Sequence, residues 1–403
     1  MPSPLAGLEP SLLADRSLAS EGARRIEWAR ANMPVLTGLR AELAAARPLE
    51  GRRIGMCLHV ESKTAVLVDA LRAGGADVVW TGSPNTTDDG VAAAAAASGA
   101  VVYARKADTL EDHYAHVERV LASEPDLLLD NGADLIAATV EAGGGRVVAA
   151  TEETTSGRNR LLGELEGRVP FPVVVINDSP IKLLFENEHG IGPAVVDGFN
   201  RATNALVAGK TFAVVGFGSC GRSLARTLRA LHASVLVVER DEVRALEAAF
   251  EGMRVTTLER AAAQADVLVT VTGRPGVVRE EHLLSLRDGA LLANVGHFGN
   301  EIDVAALERL AVERRTLREH VEEFVLADGR AVRLLARGEM LNLSAASGHQ
   351  IQVMDLGFAL QAHAMRLLAT EPGRFRPGYQ PVPQDVDRAV AAAALGTLST
   401  VER

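Results

Sequence analysis

Short apolar runs, separated by amphipathic stretches, set the rhythm of this chain. Residues 53–58, 77–80, 101–104, 127–130, 147–150 and 173–176 read as buried strands, with helical periodicity between them, as at 64–73 and 93–97. Ahead of them, 18–47 reads as helix through Ile26, Ala29, Met33, Leu36 and Leu39, interrupted at Pro34. The alternation resumes with strands at 211–215, 234–238, 266–270 and 290–294. Strands apolar on both faces, strictly alternating with helices, predict parallel sheets covered on both sides. The expected fold class is therefore α/β, with two doubly wound, Rossmann-like domains. Helical patterns at 194–208 and 352–368 flank the second series, so that domain reads as inserted into the first, with hinges able to close over a site. Residues 371–383 read as a proline-rich linker to a short tail.

The stretch from Lys210 to Asp241 adds chemistry to this pattern. After the strand at 211–215 come Gly216, Gly218 and Gly221 in G-x-G-x-x-G spacing, with Ser219 and Cys220 inside the loop, then an amphipathic run at 222–231. A second strand ends on Glu239, 23 positions after Gly216. Strand, glycine loop, helix and acid in this order are what a dinucleotide site requires. The glycines permit a tight turn, close approach of a pyrophosphate and tight helix–strand packing, and the helix N-terminus receives the phosphate charge. Glu239 accepts hydrogen bonds from ribose hydroxyls and repels a 2′-phosphate, which favours NAD over NADP.

Composition narrows the class. The chain has 403 residues, enough for about two domains, and is 47% hydrophobic and 23% charged. A net charge of −10 argues against a nucleic-acid partner, which needs a basic footprint. Two cysteines, Cys57 and Cys220, fall in separate βα units and fit a reducing cytoplasm. No apolar run approaches a membrane span, no signal-peptide pattern is present, and no metal site is expected. A cytoplasmic enzyme is the expectation.

In open parallel sheets ligands sit at the carboxyl ends of strands. In the first domain those ends carry His59, Glu61, Ser62 and Lys63; Asp130 and Asn131; Glu152, Glu153, Thr154, Thr155 and Ser156; and Asn177, Asp178 and Ser179. Each alone reads as a cap or turn; four polar ends in one sheet read as a site. Ser179-Pro180 reads as N-cap and first helical residue, placing Lys182 in the first turn and Glu186 one turn on. Such a pair either forms an exposed salt bridge or passes protons to and from a substrate hydroxyl.

These residues resemble the S-adenosylhomocysteine hydrolase family almost end to end. The segments that carry the resemblance are CLHVESKTAVLVDAL, LLDNGADL, EETTSGRNRL, NDSPIKLLFENEHG, VVDGFNRATN, the glycine loop, NVGHFGNEID and LNLSAASGH. The resemblance implies a substrate domain at 1–192 resuming at 349–383, an NAD-binding domain at 193–348, and a tail at 384–403. It implies bound NAD that is regenerated in each turnover, oxidising a ribose 3′-carbon so that a 5′-thiolate leaves and water adds. By motif, Lys182 matches the lysine handling the 3′-hydroxyl proton, Asn187 its neighbouring asparagine, Glu153 a ribose-binding glutamate and His59 the active-site histidine. Thr154, Thr155 and Ser156 match cofactor contacts, as do Gly216, Gly218, Gly221, Glu239, Gly296, His297 and Asn342. His349 matches the histidine of a loop closing over the base.

Several positions depart from the family pattern. Asn131 stands where an aspartate serves the 5′-elimination, and an amide cannot shuttle that proton. Glu186 replaces an aspartate, Glu61 a threonine beside the ribose, Gly299 an aspartate and Arg244 an asparagine at the NAD ribose. Lys63 occupies a position facing the adenine amino group; as a donor without acceptor capacity, it favours a base with a carbonyl there, or a phosphate-bearing ligand. The tail lacks the segment with which family members reach a neighbouring subunit's cofactor, leaving dimer or tetramer open. The leading expectation is a diverged enzyme oxidising the 3′-carbon of a nucleoside-type substrate (an epimerase, a dehydrogenase, or an eliminase using another base such as Glu61). The alternatives are a true adenosylhomocysteinase and a non-catalytic NAD- and nucleoside-binding regulator.

Overall fold

The computed structural model describes residues 7–83, 86–296 and 300–398, which fold as two units. One runs to Leu183 and resumes at Ile351; the other is Leu184–Gln350. Six strands precede the boundary: β1 (Arg53–Cys57), β2 (Asp77–Thr81), β3 (Val101–Tyr103), β4 (Leu127–Asp130), β5 (Ala149–Glu152) and β6 (Pro172–Val175). The second unit holds β7 (Thr211–Val215), β8 (Ser234–Val238), β9 (Arg254–Val255), β10 (Val267–Thr270), β11 (Leu291–Asn294), β12 (Ala311–Arg318), β13 (Val321–Leu326) and β14 (Ala331–Leu335). Strand β15 (Gly378–Pro381) belongs to the first unit again. Among the described residues no helix is long and apolar enough to cross a membrane.

The first sheet is parallel throughout, in the order β15-β6-β5-β4-β1-β2-β3. From β1 the chain builds outward through β2 and β3, then returns to β4 on the other side of β1. The crevice outside the carboxyl ends of β1 and β4 is therefore the topological switch point. Successive strand residues enter opposite cores, as a period of two demands. Ile54, Met56, Val78, Trp80, Leu127 and Leu129 pack on one face, and Cys57, Val79, Leu128, Ala150 and Val173 on the other.

In the second unit the order is β12-β13-β14-β11-β10-β7-β8-β9, with its switch point between β7 and β10. Phe212, Val214, Val235 and Val237 face one core, and Ala213, Val215 and Leu236 the other. β12, β13 and β14 form an antiparallel meander that extends the expected parallel sheet. Its outermost strand is exposed nearly throughout and carries Glu313, Arg314 and Arg315. A strand so solvated shows no apolar run, which is why the sequence pattern hides it.

Three further differences from the sequence reading bear on the site. The fifth strand begins two residues later than expected, at Ala149, because the turn through Gly143, Gly144 and Gly145 continues to an exposed Val148. Glu152 is therefore a strand residue and fully buried. The expected helix at 18–47 is two helices, Ala19–Ala31 and Pro34–Ala46, the second beginning on its proline. Residues 371–383 are no linker. They contain β15, paired with β6, and lead into the helix Gln384–Thr397, whose Val386 and Val390 enter the first unit's core.

The same core joins the beginning and end of the chain. Asp355, on the long helix Ile351–Thr370, accepts the backbone N–H groups of Val35 (3.0 Å) and Leu36 (2.8 Å) at the start of the helix Pro34–Ala46. Asp130 and Glu152 are register partners on adjacent strands, both with no exposed surface. Asp130 accepts from Asn131 N (2.9 Å) and Ile136 N (2.8 Å). Glu152 accepts from Gly132 N, Ala133 N, Thr154 N and the Thr154 hydroxyl at 2.7–3.0 Å. Burial pushes Glu152 from its ordinary value of 4.5 up to about 7, against the pull of those donors. Burial, then the neighbouring Glu152 charge, pushes Asp130 well above the usual carboxylate range.

A carboxyl group whose pKa is higher in the fold than in the unfolded chain contributes stability below its unfolded value, and loses it as pH rises through the folded value. The Glu152 contribution is thus expected to fade between pH 4.5 and about 7. The melting temperature of Glu152→Gln should accordingly depend less on pH across that window than that of the wild type. A second prediction concerns helix packing. A Cβ on Gly22 would meet the Gly90 carbonyl oxygen at 1.9 Å, whereas one on exposed Gly38 would meet nothing within 4 Å. Urea unfolding should show Gly22→Ala destabilised by about 3 kcal/mol through overpacking, and Gly38→Ala stabilised by about 0.5–1 kcal/mol through helix propensity.

Candidate functional site

At the first unit's switch point, β1 ends at Cys57 and the chain turns through His59 into the helix Ser62–Ala73. Glu61 is the N-cap of that helix. Its carboxylate accepts the N–H groups of Lys63 and Thr64 and the Thr64 hydroxyl, each at 3.0 Å. The Lys63 ammonium lies 3.1 Å from Glu61 Oε2, with its side chain only 6% exposed. A carboxylate committed to a cap and an ion pair is poorly placed to act as a general base. That removes the support for an eliminase using Glu61. Lys63 remains a buried cluster of donors held by its own counter-charge.

Across the switch point, the Asn131 amide nitrogen lies 3.3 Å from His59 Nε2. The Asn131 carbonyl oxygen is buried and accepts no hydrogen bond among the described residues, as is the case for the Gln361 side-chain oxygen; the Thr151 hydroxyl also makes none. Buried polar atoms in folded proteins nearly always have partners, so these three stand out as unsatisfied groups of the first unit. Glu153 follows β5, is 4% exposed, and accepts a hydrogen bond from Gln361 Nε2 on the helix Ile351–Thr370. Sequence reasoning missed Gln361, whose only signal is a polar side chain within an otherwise apolar helical face.

The next loops lead to Lys182. Thr154 caps the helix Thr155–Leu161 by accepting Gly157 N (3.0 Å), and its hydroxyl lies 2.9 Å from Ser156 Oγ. Thr155 Oγ1 donates to Asn177 Oδ1 (3.1 Å), and so does Lys182 Nζ (3.3 Å). Ser179 caps the following helix by accepting Ile181 N (3.1 Å) and Lys182 N (3.3 Å). From Lys182 to Gly190 the helix is π-type rather than the α-helix expected. Its wider turn brings Glu186 and Asn187 both about one turn beyond Lys182, and π-bulges of this kind recur at functional sites.

In the second unit, Glu186 Oε1 lies 3.8 Å from His349 Nε2, and Asn187 Nδ2 donates to Ser219 Oγ (3.4 Å). Gly218 is the N-cap of the helix Ser219–Ala230, which opens with Ser219, Cys220 and Gly221. Gly216 has φ 106°, a conformation that other residues rarely adopt. A Cβ on Gly221 would lie 2.0 Å from the Gly216 carbonyl, while one on Gly218 would meet only Arg244 Nη1, at 3.8 Å. The loop is therefore closed where helix meets strand and open where backbone N–H groups face outward, the cradle a pyrophosphate needs. Glu239 accepts Phe217 N (2.7 Å) through one oxygen and Arg240 N (2.7 Å) and Asp241 N (3.0 Å) through the other. It shapes the loop as well as carrying the negative charge that disfavours a 2′-phosphate.

Further along, a Cβ on Gly296 would overlap Glu301 Oε1, and Glu301 itself accepts Thr272 N, Gly273 N and the Thr272 hydroxyl. Asn342 is 4% exposed, and its side-chain oxygen accepts no hydrogen bond among the described residues, an orphaned acceptor in the cofactor-binding unit. His297 and Gly299 lie outside the described residues.

Comparison with known proteins agrees with this geometry. Residues 11–149 match the family model described as S-adenosyl-L-homocysteine hydrolase, and residues 187–348 that of its NAD binding domain. The chain is 47% identical over 396 residues to the S-inosyl-L-homocysteine hydrolase of Methanopyrus kandleri, covering 96% of this chain and 92% of that protein. It is 45% identical to the adenosylhomocysteinase of Archaeoglobus fulgidus, covering 94% of each. Identity to the S-inosyl-L-homocysteine hydrolase of Methanocaldococcus jannaschii is 42%, over 94% of this chain and 93% of that one. With a cradle for NAD in one unit and an orphan-lined switch point in the other, the chain belongs to the S-adenosyl-L-homocysteine hydrolase family of NAD-dependent hydrolases.

Proposed function

We propose that this protein hydrolyses the thioether of an S-nucleosyl-L-homocysteine whose base is a 6-oxopurine, that is, S-inosyl-L-homocysteine. The observation that carries the reading is Lys63, whose ammonium is 6% exposed and paired with the helix-capping Glu61. An ammonium donates and cannot accept, so it complements the carbonyl oxygen of hypoxanthine and opposes the amino group of adenine. Two of the relatives above are named S-inosyl-L-homocysteine hydrolases. Hydrolysis also has more support than the diverged epimerase or dehydrogenase, because relatives matched over 94–96% of this chain are named as hydrolases.

When bound, NAD supplies the reversible oxidation of the ribose 3′-carbon that renders the adjacent proton acidic. The backbone N–H groups of Gly218, Ser219 and Cys220 would hold its pyrophosphate and Glu239 its adenosine ribose. Arg244 adds positive charge at the mouth of the loop. Lys182, oriented by Asn177, takes and returns the proton of the 3′-hydroxyl. Glu153, fixed by Gln361, accepts from the ribose hydroxyls. Asn131 cannot move a proton at the 5′-position. His59, 3.3 Å from its amide, is the titratable group beside it, and in this reading moves that proton.

Free-thiol release from S-inosyl-L-homocysteine should exceed that from S-adenosyl-L-homocysteine by about 10-fold or more in kcat/KM, the scale of a buried donor–acceptor mismatch of about 1–3 kcal/mol. Lys63→Glu should reverse the preference. Equal use of both substrates, or no thiol from either with NAD bound, would overturn the proposal. Replacing His59 by Asn should lower the rate of thiol release by about 10²–10⁴-fold without loss of bound NAD.

A further inference from the structure

Lys182 is held from two sides by residues of the chain's last segment. On one side, Tyr379 of β15 donates its hydroxyl to Asp178 Oδ2 at 2.5 Å, and Arg158 Nε donates to the same oxygen at 2.7 Å. The other oxygen, Asp178 Oδ1, accepts the Asn177 amide nitrogen at 3.4 Å. With its nitrogen engaged there, the Asn177 amide presents its oxygen to Thr155 Oγ1 and Lys182 Nζ. On the other side, Asp387 of the helix Gln384–Thr397 accepts the Ser179 hydroxyl proton at 2.5 Å. Ser179 has no exposed surface, and its oxygen then faces the N–H groups of Ile181 and Lys182. The first relay sets one hydrogen-bond acceptor of the ammonium, and the second sets the backbone from which the lysine projects.

We propose that Tyr379 and Asp387 are positioning residues for Lys182, acting through Asp178–Asn177 and through Ser179 respectively. The kinetic part of this inference rests on the role given to Lys182 above. Burial, together with the hydrogen bond to Asp178, holds the Tyr379 phenol above its ordinary range, so it stays a donor at neutral pH. An amide can be turned over at little cost in shape. Without Tyr379 and Arg158 to fix Asp178, the Asn177 group loses its reason to point oxygen rather than nitrogen at Lys182. Asp387 acts differently, since it orients a cap whose loss would free the first turn of the helix.

The test combines a readout that needs no substrate with one that does. Amine acetylation, followed by mass spectrometry, gives the labelling rate of Lys182 relative to the exposed Lys106 in the NAD-loaded protein. Tyr379→Phe and Asp387→Ala should each raise that ratio at least threefold. Asp387→Asn, which keeps an acceptor for Ser179, should stay within twofold of wild type. With the hydrolysed substrate, Tyr379→Phe and Asp387→Ala should lower kcat about tenfold and leave KM within twofold, and Asp387→Asn should restore kcat. Unchanged labelling of Lys182 in Tyr379→Phe would overturn the inference, as would loss of activity expressed in KM alone. Absence of turnover in the wild type would defeat the proposed reaction but leave the labelling comparison to decide the positioning. Tyr379→Phe removes a single oxygen and carries the test by itself if Asp387→Ala fails to fold.

Discussion

The first unit depends on one buried side chain accepting hydrogen bonds from two loops at once. Glu152 ends β5 with no exposed surface, and its two oxygens collect the N–H groups of Gly132, Ala133 and Thr154 together with a hydroxyl. It thereby fixes the turn after β4 and the turn after β5 relative to each other. Gly157 makes room for it, since a Cβ there would fall 2.1 Å from the carboxyl carbon. Asn131 and Glu153 stand immediately beside the anchored residues. Their placement near His59 and Gln361 follows from a group that has no exposed surface. Unsatisfied donors at these strand ends would each cost about 1–3 kcal/mol, so the loops have little freedom to adopt another arrangement.

Much of this was legible in the sequence, for reasons that differ from residue to residue. Strands buried on both faces, such as β4 and β7, announce themselves because every position must be apolar. The glycine loop was legible because its three glycines serve three separate steric needs, each tied to a fixed spacing. Strand order was not, since pairing between β1 and β4 depends on contacts across 70 residues and leaves no local periodicity. The role of Glu61 was hidden for a related reason: a glutamate before a helix reads equally as cap or as catalyst. The shift of β5 and the antiparallel meander were lost to glycine-rich and charge-rich sequence, where apolar alternation is absent. The π-helical turn at Lys182 carries no signal that distinguishes it from an α-helix of the same amphipathicity.

In the proposed reaction, substrate selection and chemistry draw on lysines with different surroundings. Lys63 is buried against a counter-charge on the neighbouring turn, the Glu61 carboxylate 3.1 Å away. Lys182 instead counts a neutral amide oxygen, that of Asn177, among its partners. Two lysines beside strand ends of one sheet thus meet different kinds of acceptor, one a carboxylate and the other an amide.

The hydrogen bonds that Asp355 accepts from Val35 and Leu36 also bear on how the molecule is assembled during synthesis. The core that contains Ile26, Leu36 and Leu39 is walled by Phe358, Leu360, Met365 and Val386, and these emerge from the ribosome only after the whole of Leu184–Gln350. The inserted unit is contiguous and can close its own core first, whereas the first unit must wait with one flank of its sheet uncovered. Nascent chains with such exposed apolar surface are the ones that aggregate or engage chaperones. The discontinuity that places β15 and its following helix against Asp178 and Ser179 therefore makes the turn leading to Lys182 one of the last parts of the first unit that biosynthesis can complete.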